Sequence, residues 1–305
     1  MNKRLLTILI SLAIALNIVS AQQDVMFTQY MFNEVTINPA YAGSHDVVSL
    51  TGLVREQWVG IEGAPSTQSF NAHTPLRNNK IGLGMSLIND KIGVSNKLNL
   101  YGSGSYRLKL SESMNLQFGL QAGFTHHRAD LSSLDVEDGS EEIFTQGTAS
   151  KMLPNFGGGL YFFTDVFYLG FSVPQLITNK LVVGDLELAK QERHYFVTAG
   201  YVFELSDKVK LKPTMFYKYV KGAPMQLDFT GSFIVQDKYW IGGAWRSFES
   251  VDLLLGYQAT EQLFLGYAFD YSLTNLNEYN SGSHELVVNY RFAFSKNKIL
   301  TPRYF

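Results

Sequence analysis

The stretch Leu116-Gln-Phe-Gly-Leu-Gln-Ala-Gly-Phe124 places an apolar side chain at every second position, with only Gln or Gly between them. Successive side chains of a β-strand point to opposite faces, so this pattern predicts a strand with one apolar and one small or polar face. The same alternation recurs along the chain in segments of about ten residues separated by turns. Clear further examples are residues 225–235, 263–271 and 285–294.

The composition is typical of a strand-rich membrane protein. Charged residues make up 17% of the chain, below the roughly 25% that is usual for soluble domains, while 14% are aromatic. Beyond the amino terminus, the chain has no run of about 20 apolar residues, which a membrane-spanning helix needs. The net charge of -2 gives no strong field that would indicate nucleic-acid binding. The lack of cysteine excludes a disulfide framework, a thiol nucleophile and a cysteine-ligated zinc site.

The first residues indicate export. Met1-Asn2-Lys3-Arg4 is a short basic start, residues 5–19 are mostly apolar, and Val19-Ser20-Ala21 is a small-residue cleavage site. This pattern predicts a signal peptide over residues 1–21, with the mature chain beginning at Gln22. A retained membrane helix is the alternative, but polar Ser11 and Asn17 interrupt the apolar run, which is also too short.

About fourteen alternating segments can be counted between residues 46 and 294. A soluble β-sandwich would also alternate, but its apolar faces are not flanked by aromatic residues as lipid-facing strands are. An even strand count places the start of the first strand and the end of the last strand on the same side of the membrane. It also places the longest linkers on the opposite side, namely 127–151, 174–192 and 273–283. The predicted fold is all-β: a transmembrane antiparallel outer-membrane β-barrel with long loops outside and both chain termini in the periplasm.

Four sequence pieces carry a family resemblance. They are Gln-Tyr-Met at 29–31, Asn-Pro-Ala-Tyr-Ala-Gly at 38–43, "VREQWVGIEGAPSTQSFNAHTPL" at 54–76 and "KIGLGMSLINDKIG" at 80–93. In this order, behind a signal peptide, the chain resembles the PorP/SprF family of outer-membrane proteins, which are associated with the type IX secretion system of Bacteroidetes.

The resemblance implies a role in protein export and gliding motility. Members of this family are thought to pair with exported cargo, such as a large cell-surface adhesin, through the cargo's C-terminal domain, or with periplasmic subunits of the machinery. The predicted protein is therefore a non-enzymatic export component in contact with outer-membrane lipids. The alternative is an outer-membrane diffusion channel or small-solute transporter, which would need an open lumen.

Residues 22–45 form an aromatic segment without strand or helix periodicity. Since irregular backbone is tolerated inside a barrel, we expect this segment to fold against the lumen wall or the periplasmic mouth as a plug. A periplasmic tail that only docks is the alternative. Pro39 should hold Asn38 extended, and Gly43 should permit a turn into the first strand. The residues assigned to this plug and family motif are Gln29, Tyr30, Met31, Asn38, Pro39, Ala40, Tyr41 and Gly43.

Several charged residues fall on the polar face of the predicted strands, near their external ends. An acidic arc of this kind could receive a basic or amide-rich segment of a partner. The alternative is a salt-bridge network that braces the barrel, since buried charges are normally paired. The candidate partner-binding residues are Asp228, Asp252, Asp270, Glu285, Arg246 and Arg55.

No catalytic, cofactor or metal site is predicted. His126 and His127 are adjacent in a predicted strand, so their side chains point to opposite faces and cannot easily share one ion. Residues 295–305 follow the last predicted strand and are basic, which predicts a periplasmic tail that either docks a partner or caps the barrel rim.

Overall fold

The computed structural model describes residues 24–76, 79–130, 148–183 and 186–292, with the side chains of residues 181–189 left aside. The predicted signal peptide and the predicted tail at 295–305 lie outside the described residues. The strands are β1 (Val48–Glu56), β2 (Ser66–Pro75), β3 (Ile81–Ile92), β4 (Ser95–Lys109), β5 (Asn115–Asp130), β6 (Thr148–Phe163), β7 (Phe167–Val173), β8 (Lys180–Val183), β9 (Leu186–Lys190), β10 (His194–Tyr201), β11 (Phe203–Ser206), β12 (Val209–Val220), β13 (Gln226–Val235), β14 (Tyr239–Arg246), β15 (Ser250–Gln258), β16 (Leu263–Ser272) and β17 (Ser283–Phe292).

The strands close into one antiparallel barrel. Neighbours in sequence pair from β1 through β7 and from β12 through β17, β1 pairs with β17, and the ring closes where β10 pairs with β7 and β12. Fifteen strands belong to this sheet, and β10 and β11 are two segments of one barrel strand, so the barrel has the fourteen strands that were predicted.

Two details differ from the predicted strands. The strand expected over 193–205 is interrupted at Val202, between β10 and β11. The registers Gly200 with Thr214 and Phe203 with Leu211 place Pro213 opposite Tyr201, directly before this break, and proline has no N–H to donate to a neighbouring strand. In addition, the linker expected at 174–192 contains a separate hairpin, formed by β8 and β9.

The two faces of the wall have opposite chemistry. Side chains such as Phe118, Leu120, Phe229 and Phe233 point outward and are exposed, while the residues between them point into the lumen. The inward positions are largely Ser, Thr, Asn, Gln and charged residues. This is the arrangement of a barrel that faces lipid outside and a polar interior inside. None of the helices in the described residues is long and apolar enough to cross a membrane.

The barrel has two distinct ends. At the short-turn end lie compact connections such as the one between β11 and β12, together with the start of β1 and the end of β17. At the long-loop end lie the connections β1–β2, β5–β6, β7–β10 and β16–β17.

Residues 24–45, the luminal segment, precede β1 and lie inside the barrel. Their side chains are almost all buried, and they bond to strands on every side of the wall. Three short helical turns occur, at Tyr30–Phe32, Glu34–Ile37 and Pro39–Tyr41. Turns of three or four residues are too short for a periodic pattern, which explains why the sequence showed neither a helix nor a strand here.

Candidate functional site

The lumen is the candidate functional site, and its filling begins with residues 38–43. Asn38 is extended (φ -131°, ψ 110°), as the following Pro39 requires, and its side-chain oxygen accepts a hydrogen bond from the Ala40 N–H at 3.0 Å. Gly43 has a φ of 70°, the left-handed conformation that glycine adopts without strain. This turn leads the chain from the lumen into β1.

Inward glycines of the wall receive this part of the segment. A Cβ added at Gly119 would overlap the backbone of Ala40, and one at Gly82 would overlap the Ala42 carbonyl. A Cβ at Gly159 would likewise overlap the Asn38 side chain, which donates to the Leu160 carbonyl at 2.9 Å. The wall therefore has a groove, without side chains, that matches the backbone of residues 38–43.

Aromatic rings fix the middle of the luminal segment. The Tyr30 ring lies 5.0 Å from that of Phe216, and the Phe32 ring stacks on that of Phe264 with centroids 4.3 Å apart. Tyr30 is fully buried, and its hydroxyl donates to Thr214 at 2.8 Å. Such ring pairs favour one arrangement of the segment over others.

Asparagines connect the segment to the opposite wall. The Asn33 side chain is bonded to Ser69 at 3.2 Å and accepts from Asn71 at 2.5 Å. On the other side, Ser172 donates to the Ile37 carbonyl at 2.8 Å. Polar groups of the segment are thus satisfied by polar groups of the wall, as burial in a low-dielectric interior demands.

An ionic network holds the part of the segment nearest the long-loop end. Arg55 pairs with Asp270 at 2.6 Å and with Glu285 at 3.2 Å. Glu285 also accepts hydrogen bonds from two successive backbone N–H groups, those of Thr28 at 2.9 Å and Gln29 at 2.7 Å. The carboxylate therefore binds both a cation of the wall and the backbone of the luminal segment.

A second arginine extends this network. Arg246 pairs with Asp228 at 3.0 Å and approaches Asp270 to 4.0 Å. Asp252 lies directly opposite Asp270 in the register of β15 and β16, and its Oδ1 accepts no hydrogen bond from the described residues. Like charges facing each other across strands are unfavourable, so the two arginines are needed to hold this group together.

The structure thus brings all six predicted partner-binding residues together at one level of the lumen. Each is at most 4% exposed, and five of them form ion pairs with one another. Their role in partner binding stays a prediction, and the arrangement favours the alternative, an internal network that braces the barrel and holds the segment.

Glu34 is a buried acid of the candidate site that sequence reasoning missed. It lies in the middle of the luminal segment and is fully buried, and burial raises the pKa of its carboxyl to about 8, although the nearby Lys212 partly opposes this rise. One carboxylate oxygen accepts no hydrogen bond from the described residues. Nothing in the sequence around Glu34 distinguishes it from an acidic residue on the surface. The inward glycines of β5, in contrast, are visible in the sequence, because Gly and Gln alternate there with apolar residues.

The luminal segment separates two small cavities. One of about 60 Å³ lies beside Asp24–Phe27 and the long-loop halves of β3 and β4. The other, of about 30 Å³, is lined by Phe32, Glu34 and Trp240 on the side of the short-turn end. In the described part of the chain, no group of three or more His, Asp or Glu side chains is placed to hold a metal ion.

Comparisons with known proteins agree with this architecture. A family model described as "Type IX secretion system membrane protein PorP/SprF" matches residues 19–290. Among curated proteins, none is similar enough in sequence to count as a match.

Solved outer-membrane barrels are similar in fold. The CymD monoaromatic hydrocarbon channel is 11% identical over 87% of this chain and 94% of its own, with a TM-score of 0.50. A Pseudomonas aeruginosa FadL homologue is 13% identical over 85% of this chain and 94% of its own, with a TM-score of 0.47. The Acinetobacter baumannii outer membrane protein Omp33 is 10% identical over 81% of this chain and 98% of its own, also with a TM-score of 0.47. At these identities the similarity concerns the fold alone.

Proposed function

Because the chain belongs to the type IX secretion system membrane protein PorP/SprF family, we propose that it is a non-enzymatic export component that binds an exported partner at the outer membrane. The partner is the C-terminal domain of an exported cargo, and subunits of the periplasmic machinery are the second candidate. The long-loop end faces the exterior, and the short-turn end, where β17 finishes, faces the periplasm. The observation that carries this proposal is the filled lumen, since a filled barrel serves its partners through its surfaces.

The long loops offer a contact surface of suitable chemistry. Phe248, at the β14–β15 turn, is 86% exposed and has a φ of 62°, which is unfavourable for a bulky side chain. Tyr279, in the β16–β17 loop, is 70% exposed. Exposed aromatic residues are frequent anchors in protein interfaces, and a strained backbone is often retained where function requires it.

Backbone hydrogen bonds make part of this surface rigid. The Val59 N–H donates to the Gly282 carbonyl at 2.9 Å, and the Ser281 N–H donates to the Val59 carbonyl at 2.8 Å. The β1–β2 and β16–β17 loops are therefore joined next to Tyr279. A preformed surface loses less conformational entropy on binding than separate mobile loops would.

Affinity purification from native membranes tests this proposal. The tagged protein, isolated in mild detergent, should retain a large exported protein that mass spectrometry identifies. Replacing Phe248 and Tyr279 by alanine should lower the yield of this partner at least about tenfold, because each lost aromatic anchor typically costs more than 1 kcal/mol. The control is Met114→Ala, which removes an exposed side chain next to the β4–β5 turn at the opposite end of the barrel.

The outcomes separate the candidate functions. Loss of the partner in the Phe248 and Tyr279 variant but not in the control supports cargo binding at the long loops. Recovery of periplasmic subunits only, unaffected by both changes, would favour the machinery role at the short-turn end. A barrel that purifies alone and conducts ions would instead support the diffusion channel or small-solute transporter.

A further inference from the structure

The luminal segment runs along the barrel from one end to the other. Its carboxyl-terminal part is fixed at the short-turn end, where Arg107 donates to the Gly43 carbonyl at 2.6 Å and pairs with Asp46 at 3.2 Å. Thr28 lies much nearer the long-loop end, bonded to Glu285. The chain therefore crosses most of the lumen and then enters β1 at the short-turn end.

Asp24 lies farther still toward the long loops. Its backbone N–H donates to His194 Nε2 at 3.2 Å, and its carboxylate lies 3.5 Å from His194 Nδ1. His194 is the first residue of β10 and directly follows the long connection from β7. The Asp24 side chain is one-third exposed (33%), whereas Phe27 is buried.

A recess opens beside this end of the segment. It is the cavity of about 60 Å³, lined by Asp24–Phe27, by Asp90 and Lys97 from β3 and β4, and by Pro174 and Gln175 just after β7. Pro174 and Gln175 belong to the β7–β10 connection, so the recess lies at the long-loop end of the lumen.

We infer that the amino-terminal end of the luminal segment, Asp24 and Val25 with the recess beside them, is presented to the cell exterior. The inference rests on the orientation proposed above, with the long loops outside. An even number of strands places the start of β1 and the end of β17 on the same side, but it does not govern residues that precede β1. Here those residues cross the lumen, so the two ends of the described chain face opposite sides of the membrane.

This arrangement adds a surface to the exported partner's side of the protein. The recess combines the carboxylates of Asp24 and Asp90 with the apolar side chains of Val25 and Phe27. It lies within the ring of long loops, where a partner bound to those loops would also cover it.

Cysteine accessibility tests the inference directly, because the natural chain has no cysteine. Asp24→Cys is labelled on intact cells with a membrane-impermeant maleimide. Tyr279→Cys in the β16–β17 loop is the external control. Glu112→Cys, whose side chain is 98% exposed at the β4–β5 turn, is the periplasmic control. Folding of each variant is checked by its shift in electrophoretic mobility on heating, and Val25→Cys replaces Asp24→Cys if the latter does not fold.

We expect Asp24→Cys to be labelled on intact cells to an extent comparable with Tyr279→Cys, and Glu112→Cys only after the outer membrane is permeabilised. Labelling of Tyr279→Cys without labelling of Asp24→Cys on intact cells would overturn this inference and leave the proposed orientation standing. If Glu112→Cys is labelled on intact cells and Tyr279→Cys is not, the proposed orientation itself is wrong.

Discussion

Gly119 shows at the scale of one residue how the wall fits the luminal segment. Its position in β5 faces the lumen, where the backbone of Pro39 and Ala40 approaches so closely that a Cβ would overlap it. The shape of the wall therefore matches the backbone of the segment at this position, and one added methyl group should be enough to disturb the packing.

Gly119→Ala should destabilise the folded protein by about 1–3 kcal/mol, because overpacking forces the segment or the strand to move. The control is Gly104→Ala, at a position in β4 with no atom within 4 Å of the added Cβ. Free energies of unfolding measured in denaturant, with the protein in lipid vesicles, provide the comparison. Equal stability of the two variants would show that the groove does not hold residues 38–43.

Glu34 should make the stability of the protein depend on pH. In the folded state its pKa is about 8, above the ordinary value of 4.5, so the folded protein retains a proton that the unfolded chain releases. Stability is therefore highest below the ordinary pKa and falls as the pH rises toward 8. A shift of one pH unit changes the free energy of unfolding by at most about 1.4 kcal/mol per proton.

Unfolding experiments at several pH values test this expectation. Between about pH 5.5 and pH 7.5 the natural protein should lose of order 2 kcal/mol more stability than Glu34→Gln, which has no carboxyl to titrate at this position. The difference between the two proteins cancels the titrating groups that do not interact with Glu34, whereas the nearby Lys212 does interact with it. Parallel pH profiles would mean that Glu34 is ionised in the folded state.

At the scale of elements, the luminal segment is held differently at its two ends. Residues 38–43 fit a groove of glycines, whereas Thr28 and Gln29 depend on the Glu285 carboxylate and its pairing with Arg55. A backbone fitted into a groove can leave only as a unit. A backbone held by one carboxylate can open locally.

Glu285→Gln should loosen only the end of the segment nearest the long loops. It removes the charge that pairs with Arg55 and weakens two charge-assisted hydrogen bonds, so amide exchange of residues 24–29 should accelerate about tenfold or more. Hydrogen exchange followed by mass spectrometry gives this rate directly. Asp46→Asn, which breaks the pair with Arg107 at the other end, should leave exchange in residues 24–29 unchanged. Faster amide exchange of residues 24–29 in both variants would show that the two ends of the luminal segment are not held independently.

The strands could be predicted from the sequence, whereas the contacts inside the lumen could be predicted only in part. Alternation along β5 and β13 identified the barrel because each strand must separate lipid from a polar interior. The interruption at Val202 was not predicted, since it involves the neighbouring strand, in which Pro213 lies opposite Tyr201. The inward charges near the long-loop end were found from strand parity. Which cation faces which carboxylate depends on registers between strands, as in Arg55 with Asp270, and these leave no trace in a single sequence.

At the scale of the whole molecule, the barrel is a closed ring of fourteen strands whose interior is occupied by its own chain. A membrane channel needs a continuous water-filled path, and here the luminal segment separates the two cavities described above. This filled interior supports the proposal that the protein acts through its loops, turns and rims.

Single-channel recording in planar lipid bilayers tests this central claim most directly. The natural protein should insert without producing conductance steps, whereas a variant lacking residues 24–43 should show stable openings, because the deletion removes the chain that fills the lumen. Heat-dependent electrophoretic mobility confirms that both proteins are folded barrels. Sustained conductance by the natural protein, equal to that of the deletion variant, would contradict the closed barrel and would make it a channel.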